Sequence, residues 1–221
     1  MSPSRQIDPQ RLNGYGYGRD NPLKYTDPDG NDLKLKAGLK KADQDSIIKD
    51  AVNLYRKESG RAGLRQLKTS DITYVVGTGH LKTEINLFKG TAAEEFGRTA
   101  PEHLSGTTQN GVLTSIDRKG VTVNITLDVD KRDSAEKASD AGLRSPPPSE
   151  QTVFNHEIGH AVDKDTDLLK EYNETEQQAE KKANTFVDAA AREKNSMSKE
   201  DAEKEVREML GLPAKEEKKK H

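Results

Sequence analysis

The sequence predicts an α+β fold, because its strand-like segments are grouped ahead of most helices instead of alternating with them. Two patterns carry this prediction. Residues 121–129 alternate apolar and polar side chains with a period of two, as in a strand with one buried face. After the three prolines at 146–148, apolar residues recur at helical spacing instead. We expect the sheet to be small and mostly antiparallel.

The first part of the chain contains one predicted helix and several short strands. Apolar residues at helical spacing over 42–59, followed by Gly60, indicate the helix and its end. Four further segments are predicted strands: Ile72–Val76, Ile85–Phe88, Gly111–Asp117 and Val121–Val129. The last two flank a short turn that contains Gly120, which is typical of a hairpin.

The second part is predicted to be a loop followed by helices. Residues 131–150 are polar and are assigned to the loop. Three helices follow: one from Ser149 or Glu150, one from Asn173 to Arg192, and one from Ser198 to Leu210. Asn173 and Glu176 have the spacing of a capping box at the start of the second of these helices.

Composition excludes several classes of protein. The chain has 221 residues, with 36 Lys or Arg against 38 Asp or Glu, for a formal net charge of −2. This balance argues against nucleic-acid binding, which relies on excess positive charge. Because there is no Cys, a metal site must be built from His, Asp and Glu. No apolar run has the length of a signal-peptide core or a membrane span, so we expect neither.

The chain divides into three parts by composition. Residues 1–33 are rich in Gly, Pro, Asn, Asp and Tyr, which is typical of short strand–turn units. Residues 34–213 contain all the predicted helices and form the expected main domain. Residues 214–221 are mostly charged and are expected to be a flexible tail.

One motif carries chemistry: His156-Glu157-Ile158-Gly159-His160 is an HExxH sequence. On a helix, His156 and His160 lie on the same face, so both imidazoles can bind one ion. Glu157 is then close enough to take a proton from a water bound to that ion. Two His, one carboxylate and an open position form the ligand set of a catalytic zinc. Gly159 is a poor helix former, which is easier to explain if a strand or a substrate must approach the helix there.

The third ligand is expected to be an acid on the following helix. Glu180 lies at the margin of that helix's apolar stripe, where an unpaired carboxylate is costly to bury. Glu176 is the alternative, because it also neighbours the stripe. Asp163 and Asp165 are weaker options, and Asp163 can instead orient a ligand His.

The segments HEIGHAVD and Glu180 to Phe186, E-K-K-A-N-T-F, resemble the gluzincin metallopeptidases. The repressor-cleaving metallopeptidases of mobile elements have a similar E-x-x-A-N-x-F pattern. The resemblance covers about residues 150–190. It implies a zincin-like fold, with an HExxH active-site helix, a following Glu-bearing helix, and Zn²⁺ held by His156, His160 and Glu180.

The same resemblance implies a reaction. A zinc-bound water hydrolyses a peptide bond, with Glu157 as the general base. Tyr172 and His80 are candidates, by residue type only, for supporting the oxyanion. In gluzincin-like folds an edge strand beside the active helix holds the substrate, and the segment Gly111–Val129 is the candidate for that strand.

The N-terminal pattern N-G-Y-G-Y-G-R-D-N-P…D-P-D-G resembles the end of the Rhs-repeat core domain, over about Asp8 to Gly30. In that family the core forms a shell, and the segment after D-P-x-G is a toxin delivered into rival cells. The resemblance implies an effector without a signal peptide, exported by type VI secretion and acting in the cytoplasm or periplasm of the target cell. It also implies a cognate immunity protein, the Rhs shell as a partner, and self-cleavage by Asp8 and Asp27, although the Gly that normally follows the first D-P is absent.

The sequence therefore predicts a zinc endopeptidase that acts on protein as an Rhs-type antibacterial effector. Two alternatives stay open. One is a non-catalytic metal-binding or interaction module, and the other is a zinc amidase that acts on a non-protein amide such as a cell-wall linkage.

Overall fold

The structure is a computed structural model that describes residues 33–81, 84–86, 91–93, 95–102, 104, 106–110, 112–118, 120–143, 145 and 147–215. Its helices are α1 (Lys41–Tyr55), α2 (Glu58–Lys68), α3 (Val129–Asp140), α4 (Glu150–Thr166), α5 (Leu168–Asn173), α6 (Glu176–Arg192) and α7 (Lys199–Met209). Its strands are β1 (Leu33–Leu35), β2 (Thr73–Thr78), β3 (Glu84–Asn86), β4 (Thr91–Ala93), β5 (Gly97–Pro101), β6 (Gly106–Gln109), β7 (Val112–Ile116) and β8 (Thr122–Leu127). The predicted α+β class is confirmed. The candidate self-cleavage residues Asp8 and Asp27 lie outside the described residues.

The main sheet has four strands in the order β1-β2-β8-β5. β1 and β8 each run parallel to β2, and β5 runs antiparallel to β8. The sheet is therefore mixed, not mostly antiparallel, and β5 forms one of its edges. The pairs β3–β4 and β6–β7 form two separate antiparallel ribbons.

The predicted hairpin of Gly111–Asp117 with Val121–Val129 is wrong. β7 pairs with β6, whereas β8 pairs with β2 and β5. The period-two pattern of the second arm is nevertheless confirmed, because Val123, Ile125 and Leu127 are buried and the residues between them are half-buried. Periodicity specifies which face of a strand is buried but not which strand lies beside it.

Three helices were missed by the sequence prediction: α2, α3 and the six-residue α5. α2 begins two residues before Gly60, the predicted helix end. α3 occupies the first half of the predicted loop 131–150 and follows Asp128, whose carboxylate accepts a hydrogen bond from the backbone N–H of Lys131 at 3.0 Å. Only Ala135 of α3 is buried, so this helix has no apolar stripe to indicate it.

The core lies between the sheet and the helices that cover it. α1 packs against β2, and α4 packs against β8 and β5. The largest completely buried side chains include Tyr55, Tyr74 and Phe154, with branched aliphatic residues around them. No helix in the described part of the chain combines the length and apolar character needed to cross a membrane.

The C-terminal end of α4 is anchored by one carboxylate. Asp165 accepts hydrogen bonds from Gln66 at 2.9 Å, from Arg118 at 3.2 Å and from Tyr74 at 3.3 Å, and also from Ser70. These donors come from α2, the segment after it, β2 and the loop before β8. Asp165, a weaker candidate for a metal ligand, is therefore a structural residue.

Candidate metal centre

The HExxH motif lies on α4, as the sequence predicts. The helix begins directly after the prolines, with Ser149 as N-cap accepting from the backbone N–H of Thr152 at 3.1 Å. Phe154, Ile158 and Ala161 face the core, which fixes the rotation of the helix. This rotation turns His156 and His160 towards α6.

Three side chains converge on one point. The Nε2 atoms of His156 and His160 are 3.1 Å apart. Glu180 places Oε2 3.3 Å from the His156 Nε2 atom and Oε1 3.3 Å from the His160 Nε2 atom. Tetrahedral zinc with bonds of about 2.0–2.1 Å separates its ligand atoms by about 3.3 Å. The donor set and its spacing therefore fit a zinc ion.

Glu180, and not Glu176, is the carboxylate at this point. Both acids are exposed, but Glu180 forms a metal-competent group with the two His residues, whereas Glu176, the first residue of α6, is not part of that group. The capping box also differs from the predicted one: the side chain of Gln178 accepts from the backbone N–H of Thr175 at 3.0 Å. The predicted Asn173–Glu176 box is wrong by two residues, and Asn173 belongs to α5.

Close packing positions α6 against α4. A Cβ atom on Gly159 would lie 3.0 Å from Ala183 Cα and 3.1 Å from its carbonyl oxygen. Something does approach the helix at Gly159, but it is another helix and not a strand or a substrate. Lys182 adds a second tie between the helices, because its ammonium group lies 3.0 Å from Asp163. Asp163 therefore pairs with α6, and its carboxylate is not part of the metal-competent group.

Glu157 is buried against the edge strand. It is 5% exposed, and its Oε2 atom accepts a hydrogen bond from Thr99 Oγ1 at 2.8 Å. A Cβ atom on Gly97 would lie 2.6 Å from the Cγ and Oε1 atoms of Glu157, so the carboxylate lies directly over this glycine. Burial raises the pKa of Glu157 to about 7; Glu95 and Glu180 add to this rise, and the Thr99 hydrogen bond and Lys164 oppose it.

The electrostatic surroundings of His160 suit metal binding. Burial and the neighbouring His156 lower the pKa of His160, with Glu180 opposing the shift. A lowered pKa keeps the imidazole neutral, and only the neutral ring has a nitrogen lone pair to donate to a metal.

The strand β5 directs part of its backbone away from the sheet. Phe96 accepts from Asp128 N at 2.8 Å, and Glu102 donates to Thr122 O at 2.8 Å. In an antiparallel ladder the residues between such pairs direct their peptide groups to the opposite side. Gly97 and Thr99 therefore present their N–H and C=O groups to the side of β5 that faces away from β8.

Of the two candidates for supporting the oxyanion, only His80 has a described side chain, and it is not part of the metal-competent group. His80 follows β2 on the surface, 83% exposed in its side chain, with Nε2 3.8 Å from a carboxylate oxygen of Asp130. Tyr172 lies in α5, and its side chain is outside the described part of the structure. The segment Gly111–Val129 includes β8, which also packs against α4 but is an inner strand of the sheet; the edge strand beside α4 is β5, which the sequence did not predict.

Comparison with known proteins adds no relative: no family model, no curated protein and no solved structure matches the chain. Functional inference therefore depends on the geometry of the site and on the sequence motifs. Gly97 and Thr99 were missed because they interact with α4 about 60 residues later in the chain, and no local pattern indicates such a contact.

Proposed function

We propose that this chain is a zinc-dependent endopeptidase with a zincin-like catalytic domain. The observation that carries the proposal is the convergence of His156, His160 and Glu180 at separations of 3.1–3.3 Å, beside a buried Glu157. An acid next to a zinc-type ligand set is the arrangement that metal-assisted hydrolysis requires.

In this proposal three residues of the site would bind the metal and a fourth would transfer a proton. His156, His160 and Glu180 would hold the metal, and zinc bound there would supply Lewis-acid chemistry. Glu157 would take a proton from the attacking water while the water oxygen bonds to the carbonyl carbon. As the C–N bond breaks, Glu157 would give this proton to the leaving amine. Such general acid–base catalysis typically contributes about 10²–10⁴-fold.

The edge strand β5 would bind the substrate. The peptide groups of Gly97 and Thr99 point away from β8, so an extended peptide can add to the sheet there by backbone hydrogen bonds. This strand replaces the predicted segment Gly111–Val129 as the candidate substrate strand. Because backbone bonds do not read side chains, unfolded protein is a suitable first substrate.

A direct test uses the zinc-loaded full chain and fluorescein-labelled casein. Glu157→Gln should retain zinc at the wild-type ratio, measured by mass spectrometry of the metal, and should lose cleavage. A matched control is Glu150→Gln on the first turn of the same helix, which should keep both properties. Bound zinc without cleavage would favour the non-catalytic module or an amidase of non-protein bonds, and Glu157→Gln activity equal to wild type would refute the mechanism.

We further propose, from the Rhs resemblance of residues 8–30, that the enzyme acts as an antibacterial effector with a cognate immunity protein. Wild type and Glu157→Gln should be expressed in the cytoplasm and in the periplasm of a test bacterium. We expect growth arrest with wild type alone, in the compartment that holds the substrate. Equal growth in every arm would contradict the effector role without affecting the casein result.

A further inference from the structure

We propose that Thr99 is a positioning residue that holds the general base Glu157 and joins it to the strand on which the substrate lies. The proposal rests on the proposed function of Glu157. It concerns the side chain of Thr99, whose hydroxyl hydrogen bonds to Glu157.

Thr99 contacts Glu157 at two atoms. Its Oγ1 atom lies 2.8 Å from Oε2 of the carboxylate and 3.0 Å from the backbone oxygen of the same residue. A hydroxyl has one proton, so it is shared between these acceptors or donated to one of them at a time. Contact with both ends of Glu157 restricts the side chain relative to its own helix. Thr99 uses one lone pair of Oε2, so the carboxylate keeps lone pairs that can accept a proton from the attacking water.

Gly97 leaves the space that the Glu157 carboxylate occupies. Residues 97 and 99 are two apart on β5, so their side chains project to the same face of the strand. At position 97 even a methyl group would lie 2.6 Å from the Oε1 atom of Glu157. The strand therefore leaves space for the carboxylate at Gly97 and offers it a hydrogen-bond donor two residues later, at Thr99.

The same residue presents its backbone to the substrate side. The N–H and C=O groups of Thr99 point away from β8, towards the side on which an extended peptide would add. A peptide bound there is held by the residue whose hydroxyl holds the base. Thr99 thus sets the position of Glu157 relative to the scissile bond, which is a question of orientation and not of affinity.

The experiment compares Thr99→Val with Thr99→Ser in the zinc-loaded full chain. Valine keeps the shape and strand preference of threonine but removes the hydroxyl, whereas serine keeps the hydroxyl. For a fluorogenic peptide that spans the casein cleavage site, we expect Thr99→Val to lower kcat by about 10- to 100-fold. KM should stay near the wild-type value, since the backbone edge is intact, and Thr99→Ser should restore most of kcat.

A second readout does not depend on turnover. In protein labelled with ¹³C at glutamate side chains, the Glu157 carboxyl resonance is assigned by its loss in Glu157→Gln. Thr99→Val should shift this resonance in the metal-free chain, and Thr99→Ser should return it towards its wild-type position. Thr122→Val, a threonine on β8 that lies outside the site, is the matched control and should change neither readout.

The outcomes separate the two proposals. If Glu157→Gln is inactive while Thr99→Val keeps wild-type kcat and an unshifted resonance, the role of Thr99 is refuted and the proposed function stands. An increase in KM alone, with unchanged kcat, would also overturn the positioning role. If Glu157→Gln is active, the proposed function fails first. If wild type cleaves no casein, the carboxyl resonance alone decides whether Thr99 holds Glu157.

Discussion

Replacing Gly159 by Ala tests whether the contact between α4 and α6 sets the metal site. The new methyl group would lie 3.0 Å from Ala183 Cα and 3.1 Å from its carbonyl oxygen. Ordinary contacts between carbon atoms are about 3.5–4.0 Å, so α6 has to move away by about 0.5 Å. The obstacle is backbone, which cannot rotate out of the way as a flexible side chain does.

The effect on zinc should exceed the effect on stability. Glu180 lies three residues before Ala183 on α6 and moves with it, whereas metal–ligand distances tolerate only about ±0.2 Å. Changes that misplace ligands in this way cost about 10- to 100-fold in metal affinity. Ala favours a helix over Gly by about 0.5–1 kcal/mol, which offsets part of the strain in the metal-free protein.

The assay is zinc affinity by competition with a fluorescent chelator, together with urea unfolding of the metal-free chain. We expect Gly159→Ala to have a higher zinc Kd than wild type, while the unfolding free energy of the metal-free chain stays nearly unchanged. Thr185→Ala, on the exposed side of α6, is the control and should leave the Kd unchanged. A Kd for Gly159→Ala within twofold of wild type would refute the reasoning, and so would complete unfolding of the metal-free variant.

Two further substitutions test the ligand set and a buried acid. Glu180→Gln removes a ligand and should weaken zinc binding by more than the roughly 100-fold that is lost when a residue supporting a ligand is changed. Glu176→Gln, on the first turn of the same helix, should leave zinc binding unchanged. Equal loss in both variants would contradict Glu180 as the ligand. Burial, reinforced by the charge of Glu150, raises the pKa of Asp50 from 3.8 to about 6, so the folded state binds this proton more tightly than the unfolded state. The stability from this group is full below about pH 4 and is lost as the pH rises to about 6, an effect of up to about 3 kcal/mol. Between pH 4 and pH 7.5, the free energy of urea unfolding should therefore fall less for Asp50→Asn than for wild type. Asp45→Asn, at an exposed position, should behave as wild type. Equal losses in all three proteins would disprove the raised pKa of Asp50.

The helices that carry the candidate site were predictable because their signals are local. α4 and α7 begin where they were predicted to begin, directly after Ser149 and Ser198, and the side chain of each serine accepts a backbone hydrogen bond in the structure. The spacing of His156 and His160 requires only the helical repeat to place them on one face. Glu180 was predicted for a reason that the structure does not support, because its side chain is 48% exposed and not buried; the helical spacing that turns it towards α4 is what places it at the site.

The sheet was not predictable in the same way, because strand partners are far apart in sequence. β8 shows its buried face through alternation, yet its neighbours are β2 and β5, not the adjacent β7. β5 itself contains Gly97 and Pro101 within five residues, which hides it from a search for strand-forming residues. The helix α3 was missed for a related reason, since it buries only Ala135.

The part of the site that local sequence patterns predict is the set of ligands, and the part that they do not predict is the seating of the general base. The three candidate ligands lie on α4 and α6, and their spacing depends on the contact between Gly159 and Ala183. The base depends on β5, through the Thr99 hydroxyl and the space left by Gly97. Metal binding and turnover should therefore be lost through different substitutions. A sequence motif that identifies the ligands accordingly says little about whether the base is correctly placed, because that placement comes from an edge strand about 60 residues earlier in the chain.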